Sequence, residues 1–227
     1  MGELANYVLV FAKTGDTARY GVDNISCFIV DAKTPGYRVG RREKTMGQCA
    51  IPHNELFFDG VRVPVANRIG EEGRGFLACM RILDMNRPTM AANALGVGVG
   101  AFEIALAYAK ERKAFGHFIG EFQSIQFMLA DMHMQLEASR ALLYKCTRLI
   151  DAGRYDRLAE LAAMSKCFIS DVAMRVTTDA VQILGGHGYI RGNRVERMMR
   201  DAKVLQIYEG TNQIQRMVIA RRALGLK

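Results

Sequence analysis

The residues with the clearest chemical potential lie near the C-terminus, in the stretch QIYEGTNQIQR. Glu209 is a single carboxylate followed by Gly210, which allows a ligand to approach the backbone closely. A helix start follows, with Thr211 or Asn212 as its N-cap; in the second case Gln215 stands at N3 of a capping box. A glutamate held before a helix, with no obvious salt-bridge partner, suits a carboxylate base. The alternative is a surface glutamate that helps the helix to start.

Apolar residues spaced three and four apart predict the helices that must position this stretch. Their approximate bounds are 73–109, 121–153, 155–185, 194–206 and 212–223. Pro88 lies inside the first pattern and predicts a kink or a boundary there. Long helices with short connections are typical of an up-and-down bundle.

The first seventy residues have the short β-branched and aromatic runs of an antiparallel sheet. One run starts at Tyr7 and ends before the turn Thr14-Gly15-Asp16, and a second covers residues 25–30. Residues 54–58 and 61–63 read as two strands joined by an Asp-Gly turn. The predicted fold class is therefore α+β, mainly α, with a partial β-domain at residues 1–70 and a helical bundle domain at residues 71–227.

The composition excludes several classes of function. The 227 residues include 31 basic and 23 acidic side chains, for a net charge of +8, and the basic residues are spread along the chain. This charge suits phosphorylated small ligands. Nucleic-acid binding is the competing interpretation, but no recognised motif is present, so no nucleic-acid partner is expected. Five cysteines without paired spacing indicate buried thiols, and no metal-ligand spacing is present, so no metal is expected. No membrane span and no signal peptide are expected.

The string YEGTNQIQR resembles the signature of the acyl-CoA dehydrogenase family, in its medium- and short-chain branches. The resemblance implies that Glu209 is the catalytic base, and that Asp84, Arg87 and Gly210 lie on the substrate side. Without the resemblance, Arg87 is expected to pair with Asp84, three residues earlier on the same helix face. In the isovaleryl and long-chain branches the base stands just before this arginine. Here Asn86 occupies that place and cannot take a proton.

The same resemblance implies an FAD site. Arg112 and Phe115, in the string RKAFG, match the family's Arg-Lys-x-Phe-Gly, which reaches the FAD pyrophosphate of a neighbouring subunit. From the residues alone, this string is a basic helix C-terminus or an anion site. The other implied FAD residues are Phe122, Gln123, Gln182, Gly185, Gly186, Thr211 and Gln213. The glycine pair, taken alone, reads as a helix C-cap, and His187 is expected to be a polar surface residue.

The implied reaction is α,β-dehydrogenation of a saturated acyl-CoA thioester to the 2-enoyl-CoA, as in fatty acid β-oxidation. Glu209 removes the α-proton and hydride passes to flavin N5. The implied partners are an electron-transferring flavoprotein and further copies of the chain, as a dimer of dimers, or a complementary subunit in a heteromer. The location would be cytoplasmic in a bacterium and the mitochondrial matrix in a eukaryote.

The resemblance covers all of this chain, which corresponds to the later part of the family pattern and begins inside the family's middle β-domain. The family segment that lines the flavin ring lies before that point. The alternative function is therefore a truncated, non-catalytic subunit or fragment that supplies oligomer contacts and half-sites to a partner.

Overall fold

The structure is a computed structural model that describes residues 1–15 and 24–226. Asp16, predicted to belong to the turn after the first strand, lies outside the described residues. The chain divides into two compact units, Met1–Leu83 and Asp84–Lys227. The domain boundary predicted at residue 70 stays a prediction.

The described residues of the first unit form two small antiparallel sheets. Their strands are β1 (Tyr7–Lys13), β2 (Ile25–Asp31), β3 (Tyr37–Arg42), β4 (Asn54–Phe58) and β5 (Arg68–Ile69). One sheet has the order β1-β2-β5, and the other pairs β3 with β4. Along β1 the side chains alternate between half-buried and exposed, which is the period of a strand with one covered face.

The predicted hairpin between residues 54–58 and 61–63 is wrong, because β4 pairs with β3 and residues 61–63 form no strand. The Asp59 amide donates to the Gly36 carbonyl at 2.9 Å, so the chain after β4 closes onto the turn before β3. Gly36 has φ +89 and an added Cβ there would overlap the Asp59 carbonyl. This close approach requires glycine.

Six helices follow. They are α1 (Gly75–Glu111), α2 (Gln123–Asp151), α3 (Leu158–Leu184), α4 (Gly186–Tyr189), α5 (Arg194–Leu205) and α6 (Asn212–Ala223). Between α1 and α2, the strands β6 (Lys113–Ala114) and β7 (His117–Phe118) form a short hairpin. The α+β, mainly α class is confirmed, and α4 is the one short helix that the sequence pattern did not predict.

Adjacent long helices run in opposite directions. Phe102 of α1 stacks on His133 of α2 with ring centroids 5.5 Å apart. Four residues earlier, Gly98 faces Leu136, where an added Cβ would stand 3.0 Å from the leucine. Lower residue numbers in α1 therefore lie beside higher residue numbers in α2. The two helices are antiparallel, as in an up-and-down bundle.

Helix α3 lies at the centre of the bundle, since it packs against α2, α5 and α6. It buries residues on more than one face, since the consecutive residues Ser165, Lys166 and Cys167 are all buried. The three-and-four spacing that predicts this helix from the sequence includes Phe168, which is 42% exposed. A single stripe is the wrong description of a helix that is surrounded by several others.

Helix α1 continues through Pro88, so the alternative of a boundary at this proline is not adopted. By length and composition α1 is also apolar enough to cross a membrane, contrary to the expectation that no run approaches a span. One such helix is weak evidence, because a core helix passes the same test. Its residues Ala91, Ala94 and Ala101 have no exposed surface and belong to the bundle core.

The prediction that the cysteines are buried holds for three of the five. Cys27, Cys146 and Cys167 are buried, and burial raises the pKa of each thiol. Cys79 is half-buried and Cys49 is exposed. Within residues 1–15 and 24–226, no group of three or more potential ligands is placed to hold a metal ion.

Candidate active site

Glu209 lies on the turn that connects α5 to α6. Thr211 is the N-cap of α6 and its hydroxyl accepts from the Ile214 amide at 3.4 Å, so the alternative with Asn212 as cap is not adopted. The Asn212 amide donates to the Gln206 carbonyl at 3.0 Å and closes the turn. Glu209 has φ +57, a left-handed conformation that is uncommon outside glycine and is held only when its surroundings require it.

The Glu209 carboxylate has one oxygen with a partner and one without. Asn86 of α1 donates to Oε1 at 2.9 Å. Oε2 is buried and has no hydrogen-bond partner among the described residues. A buried carboxylate oxygen without a donor costs free energy, so such an atom in a folded protein calls for an explanation. It leaves one lone-pair-bearing atom available to a proton or a ligand.

Arg87 holds the backbone of the same residue. Its side chain is 5% exposed, its Nε donates to the Glu209 carbonyl at 3.3 Å, and its Nη1 pairs with Asp84 at 2.6 Å. The ion pair expected from the sequence is therefore present. Burial raises the pKa of the Asp84 carboxyl, and the positive charges of Arg87 and Arg222 oppose that shift without reversing it. The ion pair lies within α1, and the bond from Arg87 to the Glu209 carbonyl connects this helix to the turn.

Gly210 is required by protein contacts. It has φ +88, and an added Cβ would overlap the side-chain amide of Gln215 and stand 3.6 Å from Nη2 of Arg87. The Gln215 amide donates to the Gly210 carbonyl at 3.1 Å. The space that the sequence suggested for a ligand at this glycine is thus filled by the side chain of Gln215. Substrate contact by Gly210 stays a prediction.

A buried polar cluster lies below the turn. Lys166 of α3 donates to the Gly210 carbonyl at 2.7 Å and to Asn212 Oδ1 at 2.9 Å. The Asp171 carboxylate accepts from Asn212 at 2.8 Å, from Gln206 at 2.7 Å and from Arg216 at 2.6 Å. Burial acts to raise the pKa of Asp171, but these three donors together outweigh it and lower the pKa below its ordinary value.

A second group of the predicted residues lines a groove of about 440 Å³. Arg112, Gly185 and Gly186 line it, together with Tyr108 and His187. The Arg112 side chain forms no ion pair or hydrogen bond with any described residue, and no atom lies within 4 Å of a Cβ added at either glycine. A free guanidinium beside exposed backbone is suited to an anionic ligand. Glu209 does not line this groove.

Phe115 lies at the tip of the β6–β7 hairpin and is 94% exposed. It has φ +52, followed by φ +83 at Gly116, as a two-residue hairpin turn of type I′ requires. Phe122, the N-cap of α2, contacts the Phe115 ring edge to face at a centroid separation of 6.4 Å. Gln123 is exposed in the first turn of α2.

The predicted residues therefore fall into separate groups. Asp84, Arg87, Glu209 and Gly210 meet at the turn, and Arg112 meets Gly185 and Gly186 in the groove. Gln182 is exposed near the end of α3, and Gln213 is exposed in the first turn of α6. The FAD roles of these residues stay predictions.

Sequence reasoning missed three residues that hold the turn, namely Lys166, Asp171 and the buried side chain of Asn212. A signal for Lys166 was present. Its helical neighbours at three and four residues, such as Ala162, Ala163 and Ile169, are small or apolar, which puts this lysine on a buried face.

Comparisons with known proteins agree with this geometry. Residues 73–224 match the family described as acyl-CoA dehydrogenase, C-terminal domain. The cyclohexane-1-carbonyl-CoA dehydrogenase of Geobacter metallireducens is 48% identical over 223 residues, which are 98% of this chain and 57% of that protein.

Solved structures give the same relationship. Butyryl-CoA dehydrogenase from Megasphaera elsdenii superposes with a TM-score of 0.94 at 46% identity, over 98% of this chain and 57% of that one. A chain in a structure of the electron transferring flavoprotein of Acidaminococcus fermentans, from work on flavin-based electron bifurcation, superposes with a TM-score of 0.94 at 48% identity. That match covers 98% of this chain and 58% of the other.

The chain thus spans somewhat more than half the length of these relatives. The family match covers the bundle and the turn that carries Glu209, while the longer alignments extend through the two small sheets. On this evidence the chain belongs to the acyl-CoA dehydrogenase family.

Proposed function

We propose that the protein containing this chain dehydrogenates a saturated acyl-CoA thioester at its α and β carbons, with Glu209 as the base that removes the α-proton. The buried, unpartnered Oε2 of Glu209 carries the proposal. The named activities of the relatives, on cyclohexane-1-carbonyl-CoA and butyryl-CoA, support an acyl-CoA substrate. They differ in the acyl group, so the proposal covers the thioester class and no single acyl chain.

The neighbours of Glu209 suit this role. The bond from Asn86 orients Oε1, so the carboxylate presents Oε2 in a defined direction. The bond from Arg87 holds the Glu209 main chain. A base that is fixed in advance needs little reorganisation when it accepts a proton, which is how positioning lowers a reaction barrier.

The described residues fit FAD as the cofactor. FAD carries a pyrophosphate, and the unpaired guanidinium of Arg112 beside Gly185 and Gly186 offers an anion site of that chemistry. Phe115 offers an exposed aromatic ring, and Thr211 and Gln213 lie beside Glu209 in the chain. When bound, the flavin of FAD supplies the acceptor for the hydride that leaves the β carbon.

We propose that an electron-transferring flavoprotein accepts the electrons afterwards. The similarity to a chain in the Acidaminococcus fermentans structure supports this partner. We also propose that the protein works as an oligomer, because Phe115 stands at a hairpin tip with almost no cover from its own chain.

The test of the base is Glu209→Gln in the FAD-loaded protein. The amide keeps the shape but cannot accept the proton, and general bases typically contribute about 10²–10⁴-fold in rate. We expect acyl-CoA to bind within a few-fold of wild type while anaerobic bleaching of the flavin falls by at least about a hundredfold. Stopped-flow absorbance measures the bleaching, and titration of the flavin spectrum measures binding.

Glu196→Gln is the matched control, because Glu196 is a carboxylate that pairs with Arg200 on α5. It should leave bleaching unchanged. Wild-type bleaching in the Glu209→Gln protein would rule out this base. A chain that binds no FAD in any form would favour the alternative of a non-catalytic subunit.

A further inference from the structure

Lys166 is a fully buried lysine in the middle of the central helix, with 0% of its surface exposed. Burial of an ammonium group without partners is costly, and lysine is among the residue types least often buried. The proposed reaction assigns it no task. Its position therefore requires a reason in the contacts of its amino group.

The amino group contacts the catalytic turn directly. Nζ donates at 2.7 Å to the carbonyl of Gly210, the residue that follows Glu209, and at 2.9 Å to Oδ1 of Asn212, the first residue of α6. These two acceptors lie on either side of Thr211, the N-cap. Lys166 thus bonds to the end of the turn and to the start of the next helix at once.

The Asn212 side chain is itself hydrogen-bonded to α3, so the acceptor that Lys166 contacts is fixed in place. Its side-chain amide donates to the Cys167 carbonyl at 3.2 Å, to Ser170 Oγ at 2.9 Å and to Asp171 Oδ1 at 2.8 Å. One residue of α6 is therefore fixed by a full turn of α3, and Lys166 extends this attachment to Gly210.

We propose that Lys166 is a positioning residue whose buried amino group holds the turn that presents Glu209. The proposal rests on the proposed role of Glu209 as the base. The left-handed backbone of Glu209 costs free energy and persists only where the surrounding structure enforces it. The bond to the Gly210 carbonyl acts on the next peptide and opposes relaxation of that conformation.

The electrostatic surroundings agree with a tightly enclosed amine. Burial lowers the pKa of Lys166 from 10.5 to about 8, with a smaller lowering from Arg87. The groups that face it and oppose this shift are Cys167, Asp171 and Glu209. In an opened turn the amine meets water and regains its ordinary pKa, so the closed turn gains stability as the pH rises from about 8 towards 10.5.

Hydrogen exchange at the Asn212 amide tests the proposal without any catalytic assay. This amide donates to the Gln206 carbonyl at 3.0 Å and is released when the turn opens. In Lys166→Met, which keeps the length but removes the donors, we expect its protection at pH 7 to fall at least about tenfold, with core amides of α3 changing far less. Lys145→Met, at an exposed lysine of α2, is the matched control and should leave the protection unchanged.

Protection within about twofold of wild type in Lys166→Met would overturn the proposal, since loss of both hydrogen bonds from Nζ should open the turn by more than that. Lys166→Gln retains an uncharged NH2 donor group and should give an intermediate value. It decides the question if the methionine variant does not fold. If neither folds, the wild type decides. Opening at Asn212 must become less favourable between about pH 8 and 10, and a flat profile there would contradict the proposal.

The FAD-loaded protein connects this result to Glu209. Lys166→Met should slow flavin bleaching about tenfold while acyl-CoA binding stays within about threefold, because the base is displaced and the ligand contacts remain. Loss of exchange protection with normal bleaching would mean that Lys166 holds the turn but that this does not limit the rate, and Glu209→Gln tests the base separately. The two proposals therefore fail separately.

Discussion

At the scale of single residues, Glu209 has two features that each destabilise the folded protein. Its backbone is left-handed, and one oxygen of its carboxylate is buried without a donor. Either feature is usually removed from a protein when it has no use, since each costs on the order of 1–3 kcal/mol. Their coincidence at the residue that the family resemblance selects supports a chemical role for this carboxylate.

Asn86 gives the residue-scale prediction. Replacement by alanine removes the bond to Oε1 of Glu209 and frees the carboxylate to rotate. A hydrogen bond to a charged acceptor is worth roughly 1.5–3 kcal/mol, so we expect flavin bleaching by acyl-CoA to slow by about tenfold or more. Stopped-flow bleaching measures this.

Thr89→Ala is the matched control for Asn86→Ala, because Thr89 is exposed on the same helix one turn away. Its rate should equal the wild-type rate. A normal rate in Asn86→Ala would mean that the amide is a bystander and that other contacts orient Glu209.

At the scale of elements, Asp171 joins three helices at the site. It belongs to α3 and accepts from Gln206 at the end of α5 and from Asn212 and Arg216 of α6. The carboxylate accepts all three hydrogen bonds at once, two at Oδ1 and one at Oδ2. Its negative charge is therefore well compensated despite burial. The turn that carries Glu209 is thus supported at both ends by a single helix.

Asp171→Asn is the element-scale prediction. The NH2 group of the new asparagine cannot accept a hydrogen bond, so at least one of the donors from Gln206, Asn212 and Arg216 loses its acceptor. We therefore expect a loss of roughly 2–3 kcal/mol in the free energy of unfolding at pH 7. The folded pKa of Asp171 is lowered, so its contribution is present above its ordinary pKa of 3.8 and is lost as the pH falls through the folded value. Urea unfolding at pH 7 and near pH 3 should therefore show a difference between wild type and variant that shrinks in acid.

Asp179→Asn is the control on the same helix. Burial and Asp131 raise the pKa of Asp179 against the effect of Arg175, so its charge is unfavourable in the folded state. This substitution should leave stability at pH 7 unchanged or increase it. Equal losses in both variants would contradict the assignment of a supporting role to Asp171 alone.

At the scale of the whole molecule, two features call for a function, namely the net charge of +8 and the exposed tip of the β6–β7 hairpin. Phe115 is 94% exposed and has a left-handed backbone, and each of these features costs free energy in an isolated chain. Binding to a flavin cofactor held with a neighbouring copy would use both the exposure and the defined direction of the ring.

Phe115→Gly is the whole-molecule prediction. Glycine adopts φ > 0 without strain, so the variant should be as stable as wild type or more stable by up to about 1 kcal/mol. FAD affinity should nevertheless fall by roughly tenfold, because an aromatic contact is lost. Thermal unfolding of the FAD-free protein and fluorescence titration with FAD measure the two effects. Unchanged FAD affinity would exclude Phe115 from the cofactor site.

Local patterns in the sequence determined the parts of this protein that depend on neighbours along the chain. Helix spacing predicted the five long helices, the pairing of Asp84 with Arg87 three residues on, and the helix start after Gly210. The strand runs at β1, β2 and β4 were also readable, because β-branched and aromatic residues cluster within a short window. The string at residues 208–216 was specific enough to indicate the family.

Only the tertiary structure decided which distant residues meet. The partner of β4, the exposure of Phe168 and the burial of Lys166 all depend on elements far apart in the chain, and no local period encodes such pairings. The bonds of Glu209 to Asn86 and of Gly210 to Lys166 span 123 and 44 positions. Packing around α3 brings these residues together, because a helix enclosed by its neighbours buries whatever side chains it carries and each polar group there must find a partner.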